Sequence, residues 1–209
     1  MRVLAVVRPD ALAQPGGDVV HANHALAAVR ALGTEVDVAA TARPDAAGYD
    51  LAHVFGIFEP ATARSQIAAI RASGTPLVLS PIWLDLRPFL TIAPAVERAL
   101  ESRDPRKRLL KLRDNEATLV RKGRHARAAE RRLTMQRDCM LAADVVLPAS
   151  NIEAYLYAER LGAGRVPFVV APLGVDDAPF ARAISGERAG ILCAARIEPK
   201  KNQAALLYA

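Results

Sequence analysis

Short apolar runs alternate with helix-forming stretches along most of this chain, and that alternation leaves few architectures open. Val3 to Val7 is apolar at every position. An unbroken run, rather than an every-other pattern, marks a strand covered on both faces, as in a parallel sheet, so Arg2–Val7 reads as a first strand. A loop with Pro9, Pro15, Gly16 and Gly17 follows. Asp18 then reads as the N-cap of a helix whose Val19, Ala22, Leu26 and Val29 share one face and which Gly33 ends. Glu35–Ala40 and Asp50–Gly56 read as second and third strands, Pro60 opens a helix that runs to Ala72, and Thr75–Ser80 makes the fourth strand. Strands that alternate with helices predict an α/β fold, a Rossmann-like doubly wound parallel sheet whose ligands sit beyond the carboxyl ends of the strands.

The pattern resumes after a long basic interval. Ala93 to Ala143 reads as helical, broken at Pro105 and Gly123, with Leu109, Leu110, Leu112, Leu119 and Val120 leaving one apolar side. Asp144–Pro148 is a further strand. Ser150 with Glu153 three residues on is a capping box that opens a helix ending at Leu161-Gly162. Val166–Ala171 is the next strand, and Ala181 to Arg188 is a polar connector. A final apolar run, Ile191 to Ala195, turns through Arg196, Pro199, Lys200, Lys201 and Asn202 into a helix-forming tail. Such strand-to-helix turns present backbone N–H groups and cations to anions, and Arg196 and Lys201 bracket this one.

The charge is concentrated. The net charge of +6 comprises thirteen Lys or Arg and five acids between residues 101 and 137, a local +8, which leaves −2 for the rest. A basic amphipathic segment can be a solvated helix, lie on an anionic membrane surface, or bind nucleic acid. No aromatic or recognition-helix pattern accompanies it, which weighs against nucleic acid. No apolar stretch approaches the roughly 20 residues of a spanning helix, and the N-terminus lacks the apolar core of a signal peptide, so the chain reads as cytoplasmic. Cys139 and Cys193 lie in apolar surroundings without metal-ligand spacing, and each reads as a small buried hydrophobe. No Asp-x-Asp motif, Cys/His cluster, phosphate-binding Walker loop or Gly-x-Ser-x-Gly elbow is present, so no metal site is expected.

Several of these residues resemble motifs of the family 4 glycosyltransferases, enzymes of the GT-B type. Arg196, Lys201 and Asn202 match that family's strand-ending arginine and following lysine. Val169 to Asp176 with Phe180 resembles its strand-to-linker signature, with Leu173 in place of the usual Asn. Gly16-Gly17 after the first strand, Asp50 to Gly56, and Val146 to Asn151 are similar to further family segments. After the fourth strand, Ser80 to Asp85 holds no histidine where many relatives carry one on the acceptor side. Ser80, Trp83 or Asp85 could line the pocket instead, although a packing role for Trp83 fits as well.

The resemblance implies an acceptor-side N-terminal domain over residues 1–180, a linker over 181–189, and the start of a nucleotide-sugar-binding domain over 190–209. It implies that Arg196, Lys201, Gly16 and Gly17 hold the donor diphosphate, and it places His21, Gly56, Trp83 and Asp85 at the cleft. His53, inside the third strand, reads as a core histidine. The implied activity is retaining, metal-independent transfer from a nucleotide sugar to a glycan, lipid-linked or small-molecule acceptor, with no cofactor beyond that substrate. Peripheral attachment to the inner membrane face through the basic helices goes with it. The sequence ends inside the expected first helix of the second domain. The chain therefore reads as truncated, with the catalytic residues expected beyond it and no activity expected of these 209 residues alone. The alternative is a non-catalytic Rossmann-like binding module whose basic helix docks on membrane or nucleic acid.

Overall fold

The computed structural model describes residues 1–85, 104, 106–107, 124–174, 190 and 192–193. The chain divides into two compact units, Met1–Leu84 with Arg131–Val175, and Asp85–Glu130 with Asp176–Ala209. The first contains the sheet. Its elements are β1 (Arg2–Val7), α1 (Gly17–Ala31), β2 (Glu35–Ala40), β3 (Leu51–Phe55), α2 (Pro60–Ala72), β4 (Leu77–Ser80), α3 (Arg124–Leu141), which belongs to this unit from Arg131, β5 (Val145–Val146) and α4 (Asn151–Leu161).

All five strands run parallel, in the order β2-β1-β3-β4-β5. The fold is therefore α/β with a Rossmann-like parallel sheet. The strand expected at Val166–Ala171 takes a shorter form. Phe168 forms a single parallel bridge to Val146, extended by Val146 N–H to the Pro167 carbonyl and Val169 and Ala171 N–H to the carbonyls of Val146 and Pro148.

Alternation along β1 sends its side chains to two cores. Ala5 and Val7 join Val19, Ala22 and Leu26 of α1, together with Phe55. Leu4 and Val6 join Ala63, Ile67 and Ile70 of α2, with Met140 of α3 and Tyr157 and Leu161 of α4. Helices thus cover both faces, which is why β1 is apolar throughout. The succession reverses between β1 and β3: α1 leads outward to β2, whereas α2 leads the other way to β4. That reversal makes the carboxyl ends of β1 and β3 the topological switch point.

The helix ends show which capping chemistry operates. α4 starts as its capping box predicts, with Glu153 N–H donating to Ser150 Oγ at 3.2 Å. Glu153 Oε2 accepts from Ala149 N–H at 2.5 Å. Gly162 closes the helix at φ 61°, where a left-handed residue lets the Gly162 and Ala163 N–H groups reach the Ala158 and Tyr157 carbonyls. α1 differs from expectation. Its N-cap is Gly16, and Asp18 lies in the first turn because its carboxylate is engaged by Arg8 at 2.7 Å.

Two polar anchors hold the sheet. At the amino edge, Arg71 of α2 meets both Asp144 carboxylate oxygens at 2.8 and 2.9 Å, and Asp144 also accepts the Leu77 N–H at 2.7 Å. The guanidinium keeps the Asp144 carboxyl below the ordinary carboxylate range. At the carboxyl edge, the buried Gln66 donates from Nε2 to the carbonyls of Val7 and Thr41, both at 2.8 Å. Gln66→Leu leaves both carbonyls without a donor. It is expected to lower the unfolding free energy by about 2 kcal/mol in denaturant titration, whereas a loss near zero would show that other groups satisfy them.

Candidate functional site

The switch-point crevice gathers four of the residues singled out in the sequence. Gly16 and Gly17 form the start of α1, His21 lies one turn further on, and Gly56 follows β3. The His21 ring packs edge-on against Phe55 with centroids 5.9 Å apart. Gly56 takes φ 86° and donates its N–H to the Ser80 carbonyl at 2.8 Å, so the chain turns left-handed where β3 ends. Burial pushes the His21 pKa down, an effect opposed by the Glu153 charge at the start of α4 and reinforced by His24. Neutral imidazole is the form this arrangement favours.

The two glycines differ. A Cβ on Gly16 would lie 2.6 Å from Asp18 Oδ1, so the backbone approaches the carboxylate too closely for a side chain. A Cβ on Gly17 would meet no atom within 4 Å. No side chain caps the helix, which begins beside this open position. A helix N-terminus with uncapped N–H groups and the positive end of the backbone dipole attracts anions.

Arg8, which the sequence reading passed over, organises the loop between β1 and α1. Its guanidinium meets Asp10 at 2.6 Å and Asp18 at 2.7 Å, and it also donates to the Gln14 carbonyl. These bonds raise its pKa, Asp18 most strongly and then Asp10. An arginine closing an apolar strand, with aspartates two and ten residues later, was the available signal.

Trp83 is 8 % exposed and gives its indole N–H to Gln136 Oε1 at 3.0 Å, while Gln136 Nε2 bonds the Ile57 carbonyl at 3.1 Å. Of the two roles open to this tryptophan, the packing one accounts for its position. Ser80 is 4 % exposed, and its Oγ lies 2.8 Å from His53 Nε2. Asp85 belongs to the second compact unit. Arg196, Lys201, Val175, Asp176 and Phe180 lie outside the described residues, as does most of the basic interval. Its described end supplies Arg132, which donates to the Phe58 carbonyl and stacks 4.8 Å from the Phe58 ring centroid. Burial lowers the Arg132 pKa against the opposing charge of Glu59.

A separate apolar cavity of about 290 Å³ lies between α4 and the Val166–Phe168 segment, with Asn151 and Tyr155 in its lining. The Tyr157 ring also lines it, but the Tyr157 hydroxyl is closed to water and unpaired. Burial first, and then Glu153, raise the pKa of that phenol. Burial pushes the Cys139 thiol up to about 12, which makes it unreactive, whereas Cys193, expected to be buried as well, is exposed. Among the described residues, no group of three or more His, Cys, Asp or Glu is placed to hold a metal ion, and no helix is long and apolar enough to cross a membrane. Neither any protein-family model nor any curated protein matches this chain.

Two outcomes follow from this geometry. Gly16→Ala must displace Asp18 from Arg8 and is expected to cost about 1 kcal/mol in thermal or chemical unfolding. Gly17→Ala is expected to be neutral or to stabilise by a few tenths of a kcal/mol, roughly the advantage of Ala over Gly near a helix start. Equal effects at the two positions would contradict the close approach at Gly16.

His53 sits against Phe55, with ring centroids 3.9 Å apart, and burial lowers its pKa from 6.5 to about 4, with His21 adding a smaller effect. As pH falls through 6.5 the unfolded chain takes up this proton first. Stability from neutral His53 is complete above about pH 6.5 and declines towards pH 4, by roughly 2–3 kcal/mol in all. Unfolding measured between pH 7 and 4 is expected to show this slope, and His53→Gln is expected to flatten it. An unchanged slope in the variant would assign the pH dependence to other groups.

Proposed function

We propose that this chain carries the acceptor-side, Rossmann-like domain of a GT-B glycosyltransferase resembling family 4, which takes its sugar from a nucleotide-diphosphate donor. The observation that carries this reading is the position of Gly16-Gly17. The pair occupies the uncapped start of α1 at the switch point of the sheet, and at Gly17 a diphosphate can approach the backbone without meeting a side chain. His21, with its lowered pKa, would stand beside such a ligand as a neutral hydrogen-bonding group.

In this reading Arg196 and Lys201 complete the diphosphate site, and the acceptor is a glycan, a lipid-linked sugar or a small molecule. Transfer with retention and without a metal, a cytoplasmic location, and attachment to an anionic membrane face through residues 101–137 are further parts of the proposal, supported by the family resemblance and the local +8 charge. Trp83 and Ser80 act through packing. They hold the ends of β3 and β4 and do not touch a sugar.

The test is calorimetric titration of the chain with UDP, GDP and their sugar conjugates. Saturable binding is expected, weakened by about tenfold or more in Gly17→Val, where a bulky side chain enters space that a diphosphate would need. The Arg196→Ala, Lys201→Ala double variant is expected to lose binding as well. Thermal stability of Gly17→Val should stay within a few degrees of the parent. Absence of binding to every nucleoside diphosphate, or full affinity in Gly17→Val, would sink the assignment and leave a non-catalytic module.

A further inference from the structure

We infer that Leu12–Pro15 is a strap beside the carboxyl end of β1, held in place by the single side chain of Arg8 and able to swing as one unit. Three observations carry this. First, Leu12, Ala13, Gln14 and Pro15 are all exposed, Leu12 at 84 %, so no burial retains them. Second, Ala11 on one side is 1 % exposed in the core formed with α1, and Val19 on the other is buried too, which gives the strap two fixed ends. Third, the backbone bonds inside the loop are local: Ala11 N–H to the Arg8 carbonyl, and Ala13 and Gln14 N–H to the Asp10 carbonyl, while Gly16 belongs to the fixed end, its carbonyl accepting from the Val19 and Val20 N–H groups of α1. They shape the loop without tying it to the sheet.

The ties to the end of β1 come from the guanidinium. Arg8 reaches Asp10 at the entry of the strap, the Gln14 carbonyl in its middle, and Asp18 just beyond its exit. The planar fork of an arginine can serve three acceptors at fixed angles, which an ammonium cannot reproduce. Gly16 tightens the dependence, because a side chain there would collide with the Asp18 oxygen. When the guanidinium leaves, the strap loses its contacts with Asp10, the Gln14 carbonyl and Asp18 together, and it swings between its two fixed ends with the apolar Leu12 at its tip.

This inference concerns the free chain, so it stands or falls independently of any nucleotide. Hydrogen exchange of backbone amides is the measurement, on the parent chain, Arg8→Lys, Arg8→Ala and Asp18→Asn. In Arg8→Ala, the amides of Ala13 and Gln14 are expected to exchange together, about tenfold faster or more, while those of Val6 and Leu26 stay within about twofold. Arg8→Lys is expected to resemble Arg8→Ala despite its retained charge, and Asp18→Asn to show a smaller effect in the same residues. Raising salt to about 1 M should speed exchange of the strap in the parent but not in Arg8→Ala, because screening weakens the same ion pairs. Unchanged strap amides in Arg8→Ala would overturn the proposal, as would their acceleration one by one. If Arg8→Ala unfolds the chain, Asp18→Asn decides: acceleration confined to the strap supports the proposal, and acceleration throughout β1 and α1 overturns it.

Discussion

One buried carboxamide determines how the carboxyl edge of this sheet is built. Val7 and Thr41 stand where the chain leaves β1 and β2, and the buried Gln66 donates to both of their carbonyls. Burying an amide group without a partner costs on the order of 1–3 kcal/mol, so this pair of bonds decides whether α2 can pack where it does. Because α2 starts just after the carboxyl end of β3, one side chain fixes three chain exits relative to each other. Arg8 is the next residue after Val7 and inherits its position from that anchor.

The two edges of the sheet are finished in different ways. At the amino edge, charges are paired with each other. Arg2 meets Asp37 at 2.8 Å and lies over the Tyr49 ring, and Arg71 grips Asp144. Such exposed pairs add modest stability, but they leave few groups free to recognise anything. At the carboxyl edge, glycines and an uncapped helix start take the place of paired side chains, and the one strong ion cluster, around Arg8, holds a loop rather than filling the crevice. A parallel sheet with ligands at its carboxyl ends needs this asymmetry.

The sheet was legible in the sequence because its signal is redundant. β1, β3 and β4 appear as mainly apolar runs at the expected positions, β2 alternates Glu35 and Asp37 with its valines, and the α4 cap needed only Ser150 and Glu153. Side chains with two plausible uses were not legible. Asp18 has the chemistry of an N-cap, yet an arginine ten residues earlier competes for it and wins, since a charge-assisted bond outweighs a neutral backbone donor. Trp83 could stack on a sugar or fill a core, and the deciding partner, Gln136, lies far along the chain in a helix whose apolar side was hidden by arginines. Arg8 carried no motif at all. Its importance depends on which three acceptors a loop brings within reach, which spacing alone does not encode.

The clamp between Arg71 and Asp144 has a bearing on the order in which this molecule assembles. β1 to β4 follow one another closely along the chain, whereas β4 ends at Ser80 and β5 begins only at Val145, with most of the second compact unit between them. Closing so long an excursion adds a contact-order penalty that slows folding, although its entropic cost grows only with the logarithm of length. A two-residue strand offers little to offset that cost, and Asp144 supplies the remainder by bonding Arg71 and the Leu77 amide at once. During synthesis, the emerging chain must therefore keep the outer edge of β4 unpaired until residue 144 has cleared the ribosome. That interval is when the nascent protein is most open to pairing with the wrong strand.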